Sequence, residues 1–548
     1  MAGLVPISDF LRRLTDALSP LWGGGRWRPE PSKADYDRAL AASKEALDAV
    51  RGTRNWGAIP SLLGILTHGD VDLRNAAATV IAELAAFIPV ASLPWFEGQV
   101  RSSTLRSYPW GELDAGWVTA QDWPARVWPM FTLHPSGYVR EAALRRLVLT
   151  GDARVALPYL LLRVNDWVPE VRNVATDAVK SVLGTKQVAP WVPVLGLVEQ
   201  LRHRSRADHA WLADEIASLF LLPEARPEFM DAARSNDRAV ARWAFRVAMN
   251  LQPADRAVFI WLAAENSDPI VRLHAASAVR KWKECPGRDQ LLQKMAADGF
   301  MPIRREAMYA ALEGDPESRR TFLHAALLDH NTSMRYAARF YLRDASGGSF
   351  EAREFYLRVL PTADARTRSV AIAGVGECGG PADAADLVAH VADRRPSVAA
   401  AAVRAIASLD RERRIAWFVE VLDDERPGVA REACRALVPS SNAVPIASMR
   451  RILHSGKRDH SRRFALRVLL QRHPYDAVVE AISAAGSGDT AIAGTGASFI
   501  ERVHPWLVSY GPSEAQKTAV LSALSELPQQ LPENLRKRVG DFMGMVLA

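Results

Sequence analysis

The stretch Asn266 to Trp282, NSDPIVRLHAASAVRKW, recurs in variant form along almost the whole chain. A chain that repeats one short amphipathic unit can bury that unit only by stacking copies of it. The stretch reads as the turn and second helix of a helical repeat. Asp268 is placed to cap the helix, and Pro269 stands in the first turn, where a missing N–H leaves no bond unmade. Val271, Ala275 and Val279 then form one apolar stripe. In steps of about 31 residues, the Val271 position recurs forward as Ile303, Met334, Thr367, Val398, Val429 and Ser461, and backward as Val240, Val171, Val139 and Leu73. Four residues after every one of these anchors stands an alanine, from Ala77 to Ala465. Helix axes about 8–10 Å apart leave room for little more than a methyl where they approach, so the alanines mark the lines of closest packing.

An arginine usually follows the anchor by one or two places, as Arg140, Arg172, Arg242, Arg272, Arg304, Arg335 and Arg368, and an aspartate often precedes it, as Asp166, Asp237, Asp268, Asp298 and Asp393. This Asp…Val-Arg…Ala pattern resembles HEAT repeats, in particular the short HEAT-like repeats named after phycobilisome lyases. The resemblance implies a ladder in which Asp and Arg of neighbouring repeats bond to one another, a structural role. Near Val139 the aspartate is missing, and after Val398 the arginine's place is taken by Ala399, so the ladder is expected to break there. The expected fold is an all-α, right-handed solenoid of roughly a dozen HEAT-like helix pairs.

A chain of 548 residues is too long for one core but ordinary for such an array, whose units touch only their neighbours. The expected divisions are an N-terminal amphipathic helix and Gly/Pro hinge over 1–31, first repeats over 32–87, and a Trp-rich irregular insertion over 88–133. The repeat array then runs over 134–510 and a helical cap over 511–548. Within the array Gly486 to Ser498, GSGDTAIAGTGAS, lacks the GK[ST] ending of a phosphate loop and reads as a loop or frayed repeat.

No signature of nucleophilic, metal or nucleotide chemistry is found, and Cys285, Cys378 and Cys434 have no metal or disulfide spacing. No cofactor is expected. With no apolar run long enough to span a membrane, and charged Asp9, Arg12 and Arg13 near the start, the expectation is a cytoplasmic protein, monomeric on its own.

Two stretches stand out as candidate sites. The insertion gathers Trp95, Tyr108, Trp110, Trp117, Trp123 and Trp128 among prolines and glycines, either as a packed elaboration of the array or as a partner-binding surface. From Ser448 to Pro474, eight basic residues face one acid, an excess equal to the formal +7 of the whole chain. Among them Arg450, Arg451, Lys457, Arg458, Arg462 and Arg463 surround one inter-helix turn, a pattern suited to phosphates or an acidic partner, unless acids such as Asp423, Asp424 and Glu425 compensate it. The connection Leu201 to His209, LRHRSRADH, is a second basic stretch. The function expected from this reading is a non-catalytic scaffold that holds a partner protein along its concave surface. The alternative is nucleic-acid binding, since DNA glycosylases acting on alkylated bases are also built from HEAT-like repeats.

Overall fold

All eleven repeated alanines are buried, none more than 1% exposed, and every anchor beside them is buried except Thr367, which is half-buried. The computed structural model describes residues 33–67, 70–104, 110, 113–204, 206, 208–503, 512–525 and 535–537. Among the described residues the chain is an all-α solenoid without strands. The expected N-terminal helix Ile7 to Leu18, the hinge Gly23 to Pro31 and most of the last helix, Asn534 to Leu547, lie outside them.

The chain divides into two units, Met1–Ala307 and Met308–Ala548. In the first unit, pairs such as Ala153–Arg163 with Pro169–Gly184 and Pro253–Glu265 with Pro269–Lys281 follow the repeat. In the second unit Ala352–Val359 with Ala365–Cys378, and Ile415–Val421 with Pro427–Leu437, do the same. The aspartates at the turns cap as their position implies: Asp268 accepts from the Ile270 amide and Asp237 from the amides of Ala239 and Val240.

The conserved spacing of Asp and Arg becomes a row of ion pairs between successive repeats. Arg140 bonds Asp166 at 3.0 and 2.7 Å, Arg242 bonds Asp268 at 2.6 and 3.2 Å, and Arg272 bonds Asp298 at 2.8 and 3.1 Å. Arg368 reaches Asp393 at 3.0 Å. The same guanidinium also closes its own turn. Arg140 donates to His134 O at 2.9 Å, Arg272 to Asn266 O at 2.9 Å and Arg335 to Asp329 O at 2.7 Å. A rigid fork of five donors can serve a carboxylate and a carbonyl at once, which explains why the position holds arginine and not lysine. At the expected gap by Ala399, Asp424 pairs instead with Arg426 at 2.8 Å, and Arg426 reaches back to Asp393 O and Val391 O at 2.9 Å each. At the other expected gap, before Val139, His134 stands where other turns carry the aspartate, and its Nδ1 accepts from the Ser136 amide at 3.0 Å.

Gly486 to Ser498 departs from the expectation of a loop: most of it lies in the helix Thr490–Val503, packed against Pro474–Ala485. A Cβ on Gly496 would stand 2.6 Å from Ala481 O and 2.7 Å from the Ala485 amide nitrogen. The glycine lets two helices touch backbone to backbone; it does not break one.

Candidate functional site

The tryptophans of the insertion part company in the folded chain. Trp110, Trp123 and Trp128 are buried, Trp117 is half-buried, Trp95 is 59% exposed, and Tyr108 lies outside the described residues. Trp110 packs on Phe131 with ring centroids 4.7 Å apart and on His134 at 5.2 Å, while Trp123 stacks on Phe131 at 5.8 Å. A surface role for Trp110, Trp123 and Trp128 is therefore replaced by packing, because short helices separated by prolines need large rings to fill the space between them. His134 ties this cluster together. Its Nε2 donates to Trp110 O at 2.7 Å and its Nδ1 accepts from the Ser136 amide at 3.0 Å, an arrangement that requires the neutral imidazole. Burial pushes its pKa down from 6.5, and the Arg140 charge adds to that, against the opposing hydrogen bonds to Trp110 and Ser136.

The basic stretch of the second unit is compensated only in part by its surroundings, which supply three acids to its eight cations. Arg450 bonds Glu480 at 2.8 Å, Arg458 lies 3.3 Å from Asp423, and Arg462 lies 3.3 Å from Asp489. Arg463 donates to Asp459 O at 3.2 Å, and Arg472 caps carbonyls that include Val444 O at 2.8 Å. Arg451 and Lys457 stand exposed. Asp424 and Glu425, offered by the sequence as compensating acids, do not pair with this cluster through side chains: Asp424 is held by Arg426, and only its carbonyl oxygen meets His460, at 2.9 Å. A shallow pocket at this turn is lined by Arg431, Arg458, Arg463 and His460 together with the acids Glu425 and Asp459.

The first unit holds a different arrangement, which sequence reading did not single out. A pocket of about 300 Å³ opens between the helix Leu93–Thr104, the turn after Ala153–Arg163 and the connection after Leu195–Leu201. Its walls carry Glu97, Arg101, Arg163, Asp166, Arg204 and Arg206, with Trp167 and four leucines. Asp166 has no exposed side-chain surface. It is held by Arg140, by Arg163 at 2.8 Å and by the Val168 amide at 3.0 Å. Burial pushes its pKa up, yet the bonds from Arg140 and Val168 and the Arg163 charge outweigh burial, and the carboxyl stays below its ordinary range. Glu97 accepts from Arg163 and lies 2.8 Å from Arg101. Arg101 is pushed down by burial, and the charges of Arg163 and Arg140 act in the same direction. The signal available in sequence was the density of charge in Leu201 to His209, but its partners come from residues about a hundred and about forty positions earlier, beyond any local pattern.

Among the described residues no group of His, Cys, Asp and Glu is arranged to hold a metal ion, and no single helix is long and apolar enough to cross a membrane. No protein-family model matches the chain, and no curated protein matches it. Among solved structures it is similar to Kap121p, at 12% identity and a TM-score of 0.35 over 99% of this chain and 69% of that one. The karyopherin Kap121p bound to the SUMO protease Ulp1p matches at 12% identity and 0.34 over 99% and 68%, and Kap121p bound to Nup53p at 13% and 0.33 over 99% and 69%. Superpositions this loose carry nothing about function; the solenoid stands on the chain's own repeats.

Proposed function

We propose that the protein is a non-catalytic repeat scaffold that binds a partner protein along a concave surface formed by the anchor-bearing helices. The observation that carries this reading is the large apolar side chains left in solvent on two of those helices, one in each unit. Tyr336 and Phe340, 66% and 57% exposed, stand one turn apart on the helix Thr332–Ala345. In the first unit, Tyr138 and Leu149 of the helix Gly137–Leu149 are each 80% exposed. Single exposed apolar residues are ordinary, but aromatic pairs on one helix face are what partner surfaces are made of. Trp95 and the half-buried Trp117 are the members of the aromatic insertion that we assign to the partner surface. The ion-pair row from Arg140 to Asp393 supports assigning the repeats to the short HEAT-like kind.

The test is purification of the chain from its native host beside a Tyr336→Ser/Phe340→Ser variant, with everything that copurifies identified. A protein retained by the parent and lost by the variant is the expected result. Recovery of nuclease-sensitive nucleic acid, equally by both, would move the reading to the nucleic-acid alternative, for which the exposed Arg451 and Lys457 speak.

A further inference from the structure

The ladder of the first unit stops at Arg172. Arg140 finds Asp166 in the next turn, but Arg172, the corresponding arginine one repeat later, finds no aspartate ahead of it and donates to Asp166 O at 2.7 Å. The turn that should answer it is Leu201 to His209, which carries Arg204 and Arg206 where neighbouring repeats carry an acid. Asp208 at the end of that turn is occupied with the Ala210 amide at 2.9 Å. His209 joins the turn to the previous one through Asn165 Oδ1 at 3.1 Å, and Arg206 donates to Asn165 O at 3.4 Å. Two exposed guanidiniums with no carboxylate partner among the described residues are thereby placed on the lining of the 300 Å³ pocket.

Charge in the pocket does not balance. Its two carboxylates, Glu97 and Asp166, are already consumed by Arg101, Arg140 and Arg163. Arg204 and Arg206 remain, a surplus of two positive charges on the lining. Arg163 is 2% exposed and its Nε has no acceptor among the described residues. Guanidiniums gathered this way suit an anion with several oxygens, because each fork offers parallel N–H donors to two of them. A phosphate monoester carries about −1.5 to −2 at neutral pH, which matches the surplus, whereas a carboxylate would leave half of it. The remaining wall sets Asn165 and Gln200 beside an apolar part formed by Leu161, Leu201 and the exposed ring of Trp167. A volume near 300 Å³ is at the lower end of the range for small-ligand pockets, roughly 300–1,000 Å³.

We propose that this pocket binds a small organic phosphate, with the phosphoryl group between Arg204 and Arg206 and the organic body against Trp167 and the leucines. The site is independent of the partner surface proposed above. It lies between helices of one unit and would give the scaffold a soluble ligand to respond to.

The test is calorimetric titration of the full chain with inorganic phosphate, phenyl phosphate and adenosine monophosphate at constant ionic strength in chloride, with acetate as the charge control. Saturable binding of the phosphates, tighter for an ester than for inorganic phosphate and absent for acetate, is expected. The Arg204→Gln/Arg206→Gln variant should lose at least tenfold in affinity, and an Arg451→Gln/Lys457→Gln variant in the other basic region should lose nothing. Thermal melting of the unaltered chain gives a reading that no variant can obscure: saturating phenyl phosphate should raise its melting temperature where equal acetate does not. No saturable heat and no melting shift would overturn the proposal, as would equal affinity in the Arg204/Arg206 variant. Binding of a phosphoserine peptide with no binding of either small ester would overturn it in favour of a protein ligand.

Discussion

The two arginine-rich regions differ in how their charge is met. Ser448 to Pro474 is the densest basic stretch of the chain, yet Glu480, Asp423 and Asp489 meet three of its arginines and backbone carbonyls take two more. The pocket beside Leu201 to His209 has fewer cations in sequence. Its acids are spent on buried arginines, so the cations at its rim stay uncompensated. Charge along a chain is thus a poor measure of charge in space: in a solenoid the neighbour that neutralises an arginine lies one repeat away, about 30 residues on. Burial differs as well. Arg140 and Asp166 have no exposed side-chain surface, whereas Arg450 is half exposed beside its acid.

The sharpest way to break this comparison is to remove Asp166. Asp166→Ala leaves Arg140 buried without a counter-charge, and Arg163 with Glu97 alone, and is expected to cost about 3–5 kcal/mol, measured by urea denaturation. Asp489→Ala, which frees the partly exposed Arg462, should cost no more than about 1 kcal/mol. Equal losses would mean that the two regions are held in the same way.

A somewhat smaller effect is expected from the packing that keeps both regions in register. Ala402→Leu, at a fully buried line of approach between helices, should destabilise by about 1–3 kcal/mol through overpacking. Melting like the parent would disprove the register from which the ladder was read.

Burial lowers His209 and His324 as well, but acid should weaken the fold most through the fully buried His134. Its folded pKa lies below 6.5, so the unfolded chain takes up a proton first as pH falls. Stability from the neutral ring is complete well above 6.5 and is lost as pH drops below it toward the folded value. A series of urea melts from pH 7.5 to pH 5 should show the decline, and His134→Gln should flatten it. The ladder carboxylates Asp166 and Asp268, both held below their ordinary range, keep their contribution through this window and lose it only at lower pH.

The least effect on folding is expected where charge is already solvated. Arg451→Gln/Lys457→Gln should leave stability within about 0.5 kcal/mol of the parent. If the region binds duplex DNA at all, the same change should reduce the log–log salt slope by about 0.9 for each contact removed. A slope that does not move would leave these residues as plain surface.

The repeat made much of the architecture legible. Period, anchors, packing alanines and capping aspartates are local or nearly local properties, set by the 3.6-residue turn and by the room between two axes, and the folded chain buries the alanines and every anchor but Thr367. The glycines of Gly486 to Ser498 were misread because a breaker and a close helix contact call for the same residue, and only the neighbour at Ala481 and Ala485 distinguishes them. The same holds for the aromatic insertion: composition could not say that Trp110 would be covered by Phe131 and His134 while Trp95 stayed in solvent. The pocket of Arg163, Arg204 and Arg206 was wholly a tertiary outcome. Burial and charge balance depend on which side chains three separate turns bring within a few ångströms, and no pattern along a single helix carries that information.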